Sequence, residues 1–375
     1  MEKFYLKVQK VIKNIMKNKK VLMLMSGGVD SSVAAQKIIE EGYEIVGIHF
    51  KTVDDIIFSL IPEKTKVCCS PSDTADAFKV AKNLGIKDFR VVDIKEDFKI
   101  KVIDYFINEY KSGRTPNPCI ICNRFFKFGK ALEIAEEIGA DYVSSGHYVL
   151  NEYSKKYNCN VLRKGVDKYK DQSYFLSMIK KEYLKKLYFP LGKLTKDEIR
   201  KTAKDMEIIV ADKPDSQELC FIPDNDYKRY LRDSGLENVE GKVFNLDGEH
   251  IGNHSGYTNY TIGQRAGINY FKSAGVKLHV LSINPIKNTI IVAPTEKLYT
   301  KYLKAYNLNT FVDFEEVSGS CRIRKSNEEK PALIRKSNDN EVEVFFQEDI
   351  FAVTPGQFAV FYDEAGFILG SGIIK

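Results

Sequence analysis

The sequence predicts an α/β protein with an N-terminal parallel-sheet domain, a small central domain and a C-terminal β-barrel. Three observations carry this. Over residues 20–150, short apolar runs alternate with amphipathic stretches. After about residue 286, the chain turns to strands punctuated by turn residues. The 375 residues, 43% of them hydrophobic, supply enough core for two or three domains.

The opening stretch MEKFYLKVQKVIKNIMKNKK reads as an amphipathic basic helix and lacks a secretory apolar segment. VLMLM (21–25) is continuously apolar, as a parallel strand buried on both faces must be. A helix follows, with Ala35, Ile38 and Ile39 on its apolar face and Gly42 as its stop. YEIVGIHF is the second strand. DTADAFKVAKNLG is a helix expected to turn Ala77, Phe78, Ala81 and Leu84 to the core, and FRVVDI is the third strand. Phe98, Val102, Phe106 and Tyr110 mark a further helix ending at Gly113, and ADYVSSGHYV closes the βαβ rhythm. NTIIVA, EVEVFFQ, QFAVFYD and FILGSGII are the expected barrel strands. The expected divisions are a basic extension at 1–19, a catalytic domain at 20–210, a central domain at 211–285 and the barrel at 286–375.

Composition narrows the chemistry. The net charge of +6 permits a polyanionic partner. Seven cysteines without an export signal point to a reducing compartment, the cytoplasm, and to thiols with catalytic or metal-binding work. No apolar run reaches membrane-spanning length, so no membrane partner is expected.

MSGGVDSS (25–32) joins the first strand to a helix N-terminus. Its glycines admit backbone conformations closed to other residues, its serines offer hydroxyls, and helix amides face an anion. It lacks the Lys of a Walker A loop and the G-x-G-x-x-G of a dinucleotide site. It is a phosphate cradle of another kind. GRTPNPCIICN (113–123) sets Cys119 and Cys122 behind two stiffening prolines, with Arg114 expected to favour thiolate. DKPDSQELCFIP (212–223) carries Cys220 in a polar loop, and Cys68 and Cys69 read as packing at a helix entry.

The series MSGGVDSSVAA, GRTPNPCIICN, GHY, KDQSYFLS, DSQELCF, YTIGQR and TPGQ, in that order, resembles the bacterial tRNA-specific 2-thiouridylases of the PP-loop ATP pyrophosphatase superfamily. The resemblance covers roughly residues 20–375. It implies ATP and Mg2+ at Leu24, Met25, Ser26, Gly27, Gly28, Val29, Asp30 and Ser31, with Phe50 and Gly146 lining the nucleotide pocket. It implies a tRNA substrate, held by Asn117, Pro118, Cys119, His147, Asp171, Gln172, Ser173, Arg324, Lys325 and Gln357. Lys164, Lys168, Lys170, Lys180, Lys181, Lys185 and Lys186 surround part of that set and suit phosphate contacts. Lys325 stands where the family pattern has Tyr, which trades stacking for charge.

For sulfur transfer the resemblance implies Cys220 as persulfide carrier, loaded by a sulfur-donor protein, and Cys122 as its partner thiol. Cys119 stands where some relatives have an acid/base Asp. Two routes stand open at this level. Sulfur passes from the Cys220 persulfide, or Cys119, Cys122 and Cys220 bind a [4Fe–4S] cluster that carries it. A tRNA-binding paralogue without thiolation activity, or another adenylating synthetase, are the competing readings.

Overall fold

The computed structural model describes residues 19–54, 71–215, 219–265, 268–270, 277–325 and 328–375. The basic extension and the Cys68–Cys69 pair lie outside this set, apart from Lys19. The chain divides into two compact units. The first runs through Lys101 and resumes over Cys119–Asn225. The second joins Val102–Pro118 to Asp226–Lys375.

In the first unit, β1 (Lys20–Leu24) leads through the glycine loop to α1 (Val29–Glu40) and β2 (Glu44–Lys51). Helix α2 (Pro71–Asn83) and β3 (Asp88–Asp93) follow. β4 (Tyr142–Ser144) and β7 (Leu187–Tyr188) complete a parallel sheet of order β3-β2-β1-β4-β7. β1 is central, with Leu22 opposite Val46 on one side and Val143 on the other. Its residues Val21 to Met23 are fully buried, as their unbroken apolarity requires. The chain progresses outward from β1 to β3, then returns to β4 on the opposite flank. The loops after β1 and β4 therefore bracket a switch point, where α/β sheets bind ligands. Between β4 and β7 lies a hairpin of β5 (Val149–Ser154) and β6 (Cys159–Lys164). Helix α6 (Lys196–Asp205) packs on α1.

One expectation about the core is corrected here. Ala77 and Ala81 of α2 are buried, but Phe78 is 56% exposed and Val80 takes the core position. Phe78 instead meets the edge of Phe89. By contrast, the helical segment at 95–111 buries Phe98, Val102, Phe106 and Tyr110 as expected. Their strict four-residue spacing overruns the α-helical period, and Lys99–Ile103 accommodates it as a π-helical stretch.

In the second unit, α3 (Asp104–Lys111) stacks Tyr110 on Tyr227 of α7 (Tyr227–Asp233), with ring centroids 5.3 Å apart. The central sheet has the order β10-β9-β8-β12-β11, from β8 (Gly241–Phe244), β9 (His250–His254), β10 (Asn269–Tyr270), β11 (Leu278–Asn284) and β12 (Thr289–Pro294). β12 takes up Thr289–Ala293 of NTIIVA, a run expected in the terminal barrel. It pairs instead with β11 and β8, because its partners are set by long-range register rather than by local pattern. The barrel is closed and six-stranded: β13 (Tyr299–Thr310), β16 (Glu341–Phe351), β15 (Lys330–Asn338), β14 (Glu316–Arg322), β17 (Phe358–Tyr362) and β18 (Ile368–Ile374). Closure leaves no open sheet edge. Among the described residues, no helix is long and apolar enough to cross a membrane.

Candidate active site

The glycine loop is shaped by close approach. Gly27 has φ +71°, and a Cβ there would lie 2.3 Å from the Asp73 carbonyl oxygen of α2. Gly28 begins α1 without a side-chain cap. The hydroxyls of Ser31 and Ser32 donate to the Gly28 carbonyl at 3.0 and 2.9 Å, and Ser31 Oγ accepts from the Ser26 amide. These bonds fold the loop over the first turn of α1 and aim helix amides outward at an anion. Gly146, after β4, permits similar crowding: a Cβ would stand 2.7 Å from the Asp30 carbonyl carbon and the Ser31 nitrogen. Leu24, Met25 and Val29 have buried side chains, so what they offer at the loop surface is backbone. Phe50 is buried at the end of β2. His49 donates from Nδ1 to the Met25 carbonyl (2.8 Å) and accepts from Thr74 (3.1 Å). Burial holds this imidazole below its ordinary pKa, consistent with the neutral tautomer those partners require.

Around the loop runs a charge network that the sequence did not disclose. Asp30 Oδ1 accepts from Tyr148 and from Lys196, each at 2.7 Å. Lys196 begins α6, whose start is fixed by a Thr195–Glu198 capping box, and its side chain is only 9% exposed. It also reaches Asp215 Oδ1 at 2.7 Å. Lys170 and Arg200 close on Asp215 at 2.7 and 2.9 Å. Partial burial alone would raise the Asp215 carboxyl, but Lys170 and Lys196 outweigh it and hold the group at about 2. Lys213 donates to Asp73 (2.6 Å), Asp76 (2.8 Å) and the Gly27 carbonyl (3.1 Å). The capping box is a visible signal for the start of α6. Nothing local marks Lys196, Lys213 or Asp215 as partners of the loop.

Lys213 and Asp215 precede Cys220 by a few residues. The segment bearing Cys220 was expected in the central domain, yet it belongs to the glycine-loop unit. Cys122 ends α4 (Pro118–Cys122) in the same unit. The two cysteine segments meet one ring: Phe98 packs against Phe126, four residues past Cys122, and against Phe221, next to Cys220. Cys119, Cys122 and Cys220 occur as thiols, Cys119 exposed and the other two half-buried. Arg114, expected to favour thiolate, instead forks onto Glu109, with Nε to Oε2 at 2.7 Å. Among the described residues, no three His, Cys, Asp or Glu side chains gather closely enough to hold a metal ion.

An ATP-type glycine loop wired to a cysteine segment restricts the families to compare. Three family models match in tandem: "tRNA methyl transferase HUP domain" over residues 19–224, "tRNA methyl transferase PRC-barrel domain" over 228–294 and "Aminomethyltransferase beta-barrel domain" over 300–374. The chain is 63% identical over 360 residues to the tRNA-specific 2-thiouridylase MnmA of Petrotoga mobilis, covering 96% of this chain and 98% of that one. It is 46% identical to the protein of that name from Thermotoga sp. (strain RQ2), covering 95% and 99%. The match to that of Fervidobacterium nodosum is 45%, with the same coverage. The chain belongs to the tRNA-specific 2-thiouridylase family.

Several residues that the 2-thiouridylase resemblance assigned to tRNA are turned inward. Asp171 and Ser173 are buried. Asp171 accepts from the amides of Gly165 (3.0 Å) and Ser173 (3.1 Å) and from the Ser173 hydroxyl (2.8 Å). Gln172 accepts from the Tyr148 amide at 2.9 Å. Lys170 is spent on Asp215. This segment thus braces Tyr148 on one side and the Cys220 segment on the other. His147 is buried between Phe128 and Phe189, with Nδ1 2.7 Å from Ser145 Oγ. Burial and the Lys127 charge hold it well below its ordinary pKa. In the second unit, Arg324 donates to the carbonyls of Ala352 (2.8 Å) and Ile262 (3.1 Å) and to Thr354. Lys325 is exposed, and Asn117 is half-buried between the buried Pro116 and Pro118. Gln357 donates to the Thr115 and Pro116 carbonyls.

Proposed function

We propose that this chain is an ATP-dependent tRNA sulfurtransferase that replaces the C2 oxygen of the wobble uridine with sulfur. It would act in the cytoplasm on the tRNAs for Lys, Glu and Gln. The observation that carries the reading is the Asp30–Lys196–Asp215 relay, which joins a phosphate loop to a cysteine segment. A methyl donor needs neither a pyrophosphate-binding loop nor paired thiols, so thiolation explains what methylation leaves idle.

The uridine C2 oxygen attacks the α-phosphorus of ATP. The α–β anhydride bond breaks, pyrophosphate departs, and the base is left O-adenylated. The α1 amides and the outward hydroxyl of Ser26 receive the phosphates. Asp30 fits as the carboxylate for Mg2+, since a hard cation on a nucleotide needs one or two carboxylates besides phosphate oxygens. Bound there, Mg2+ supplies charge neutralisation on the phosphates. Sulfur then comes from a persulfide on Cys220, placed there by a donor protein. The outer sulfur bonds to C2, the C2–O bond breaks and AMP leaves. The Cys122 thiolate takes the inner sulfur, releasing thiouridine and forming a Cys122–Cys220 disulfide that an external dithiol must reduce. Cys119, exposed in the same turn, would exchange the proton with the base. Among the described residues no Cys, His, Asp or Glu side chains form a three-ligand group, and the sulfur steps run through the thiols alone.

The test is pyrophosphate release from ATP that depends on added tRNA, with nucleoside analysis of tRNA from cells lacking this chain. Expected are tRNA-stimulated release and loss of 2-thiouridine derivatives. Release indifferent to tRNA, with modification unchanged, overturns the reading. Iron-free protein should remain active with a persulfide donor, and loss of activity on iron removal would overturn the persulfide route.

A further inference from the structure

The C-terminal barrel was expected only to grip tRNA, but its TPGQ turn holds the chain that leads into Cys119. The turn itself is fixed. Gly356 (φ +89°) donates to the Ile374 carbonyl at 3.0 Å, Ile374 donates back to Gln357 at 2.8 Å, and the Gln357 amide closes on Thr354 at 3.2 Å. From this base the turn makes three bonds to two consecutive loop residues. Pro355 accepts from the Thr115 amide at 2.9 Å. Gln357 Nε2 donates to the carbonyls of Thr115 (2.9 Å) and Pro116 (3.1 Å). The approach is close: a Cβ on Gly356 would stand 3.0 Å from Arg114 Cβ and from the Thr115 nitrogen and oxygen. Thr115 Oγ1 adds a long bond of 3.4 Å to Thr261, in the connection between β9 and β10.

Pro116 and Pro118 have no N–H, so the backbone amides between Arg114 and Cys119 are those of Thr115 and Asn117, and the Thr115 amide is the one the turn holds. Both hydrogens of the Gln357 carboxamide go to those carbonyls. We propose that Gln357 is a positioning residue for the cysteine loop: it fixes the backbone of Thr115 and Pro116 and so sets where Asn117, Cys119 and Cys122 present themselves. What the loop is positioned for rests on the thiolation reading; the clamp itself does not.

The experiment compares wild type with Gln357→Glu and Gln357→Met, which keep length and remove the donor. Without tRNA, two readouts apply: amide exchange across 113–118, and the alkylation rates of Cys119 and Cys122 resolved by mass spectrometry against Cys159. Expected are a slowly exchanging Thr115 amide in wild type, faster exchange in both variants, and alkylation rates changed about tenfold at Cys119 and Cys122 but not at Cys159. With tRNA, kcat for thiolation should fall by about ten- to a hundredfold, as misplacement of a reacting group does. KM for ATP and Kd for tRNA should stay within about twofold, below the effect of losing even one good contact. A lost tRNA affinity with unchanged alkylation would make Gln357 a direct tRNA contact and overturn the proposal. So would fast exchange of Thr115 in wild type, a result that needs no variant to fold. Failure of the thiolation reading appears separately, as wild type that modifies no tRNA while the clamp readouts hold.

Discussion

The two cysteine segments are restrained by opposite means. The approach to Cys119 and Cys122 is held by neutral hydrogen bonds to backbone and by two prolines. The approach to Cys220 is held by ion pairs, through Lys213 to Asp73 and Asp76 and through Asp215 to Lys170, Lys196 and Arg200. Backbone bonds between neutral groups are indifferent to an arriving charge. The ion pairs are not, because Lys196 divides itself between Asp215 and Asp30 of the phosphate loop. On the proposed reading a polyphosphate and its cation would compete for those same charges, so that one thiol approach would serve as a fixed reference and the other would answer to the nucleotide.

The largest effect that would test this division is loss of either thiol. Cys220→Ser and Cys122→Ser should each abolish thiolation, while tRNA-dependent pyrophosphate release persists and tRNA Kd moves by no more than about threefold. Sulfur transfer by either variant would remove that segment from the chemistry. Next comes Gly27→Ala. The methyl group would strike the Asp73 carbonyl in a backbone conformation unfavourable to alanine, so about 2–3 kcal/mol of stability should be lost. ATP turnover should fall with it, and a thermal melt plus an ATP titration measure both. A Gly27→Ala protein with normal turnover would mean that the tight approach to α2 is dispensable.

Lys196→Met sharpens the comparison further. It leaves Asp30 and Asp215 without their shared cation, so about 2–4 kcal/mol should be lost, less than a fully buried pair because both carboxylates keep some solvent. Alkylation of Cys220 should accelerate while that of Cys122 stays unchanged. Equal acceleration at both thiols would show that the two approaches are not held independently.

What could be read in advance was local. The strand, glycine loop and helix at 20–40 lie in one short run, and so do the thiols of 119–122. The helix phase of α2 failed by one side chain, since Phe78 and Val80 flank the Ala77–Ala81 stripe on opposite sides and only packing against β2 and β3 decides which is buried. Strand β12 was recognisable as a strand, but its sheet was not, because alternation carries no information about partners. The working partners are further apart still. Asp30 and Lys196 are separated by 166 residues and Gln357 and Thr115 by 242. A buried lysine among 45 others has no sequence signal until the fold brings a carboxylate to it. The inward roles of Asp171 and Gln172, which the motif alone suggested for tRNA, were hidden by nearer partners, since a motif does not show that a side chain turns back to the amides of Gly165 and Tyr148.

The smallest effect concerns pH, and it separates the two restraints without touching either thiol. Asp215 titrates at about 2 in the folded chain, below the ordinary 3.8. Its stabilising contribution is therefore complete above about pH 4 and is lost as pH falls through about 2. With 21% of the side chain exposed, solvent screens part of it, leaving about 1–2 kcal/mol. Melting curves of wild type and Asp215→Asn should differ most above pH 4, converge between pH 4 and 2, and coincide below. The Thr115–Gln357 clamp contains no titrating group, so Gln357→Met should shift the melting temperature by the same amount across that range. If the Asp215→Asn difference were flat in pH, the ion pairs would not be what holds the Cys220 approach. A pH-dependent Gln357→Met difference would mean that the clamp on the other approach is charged after all, through the neighbouring Arg114–Glu109 pair.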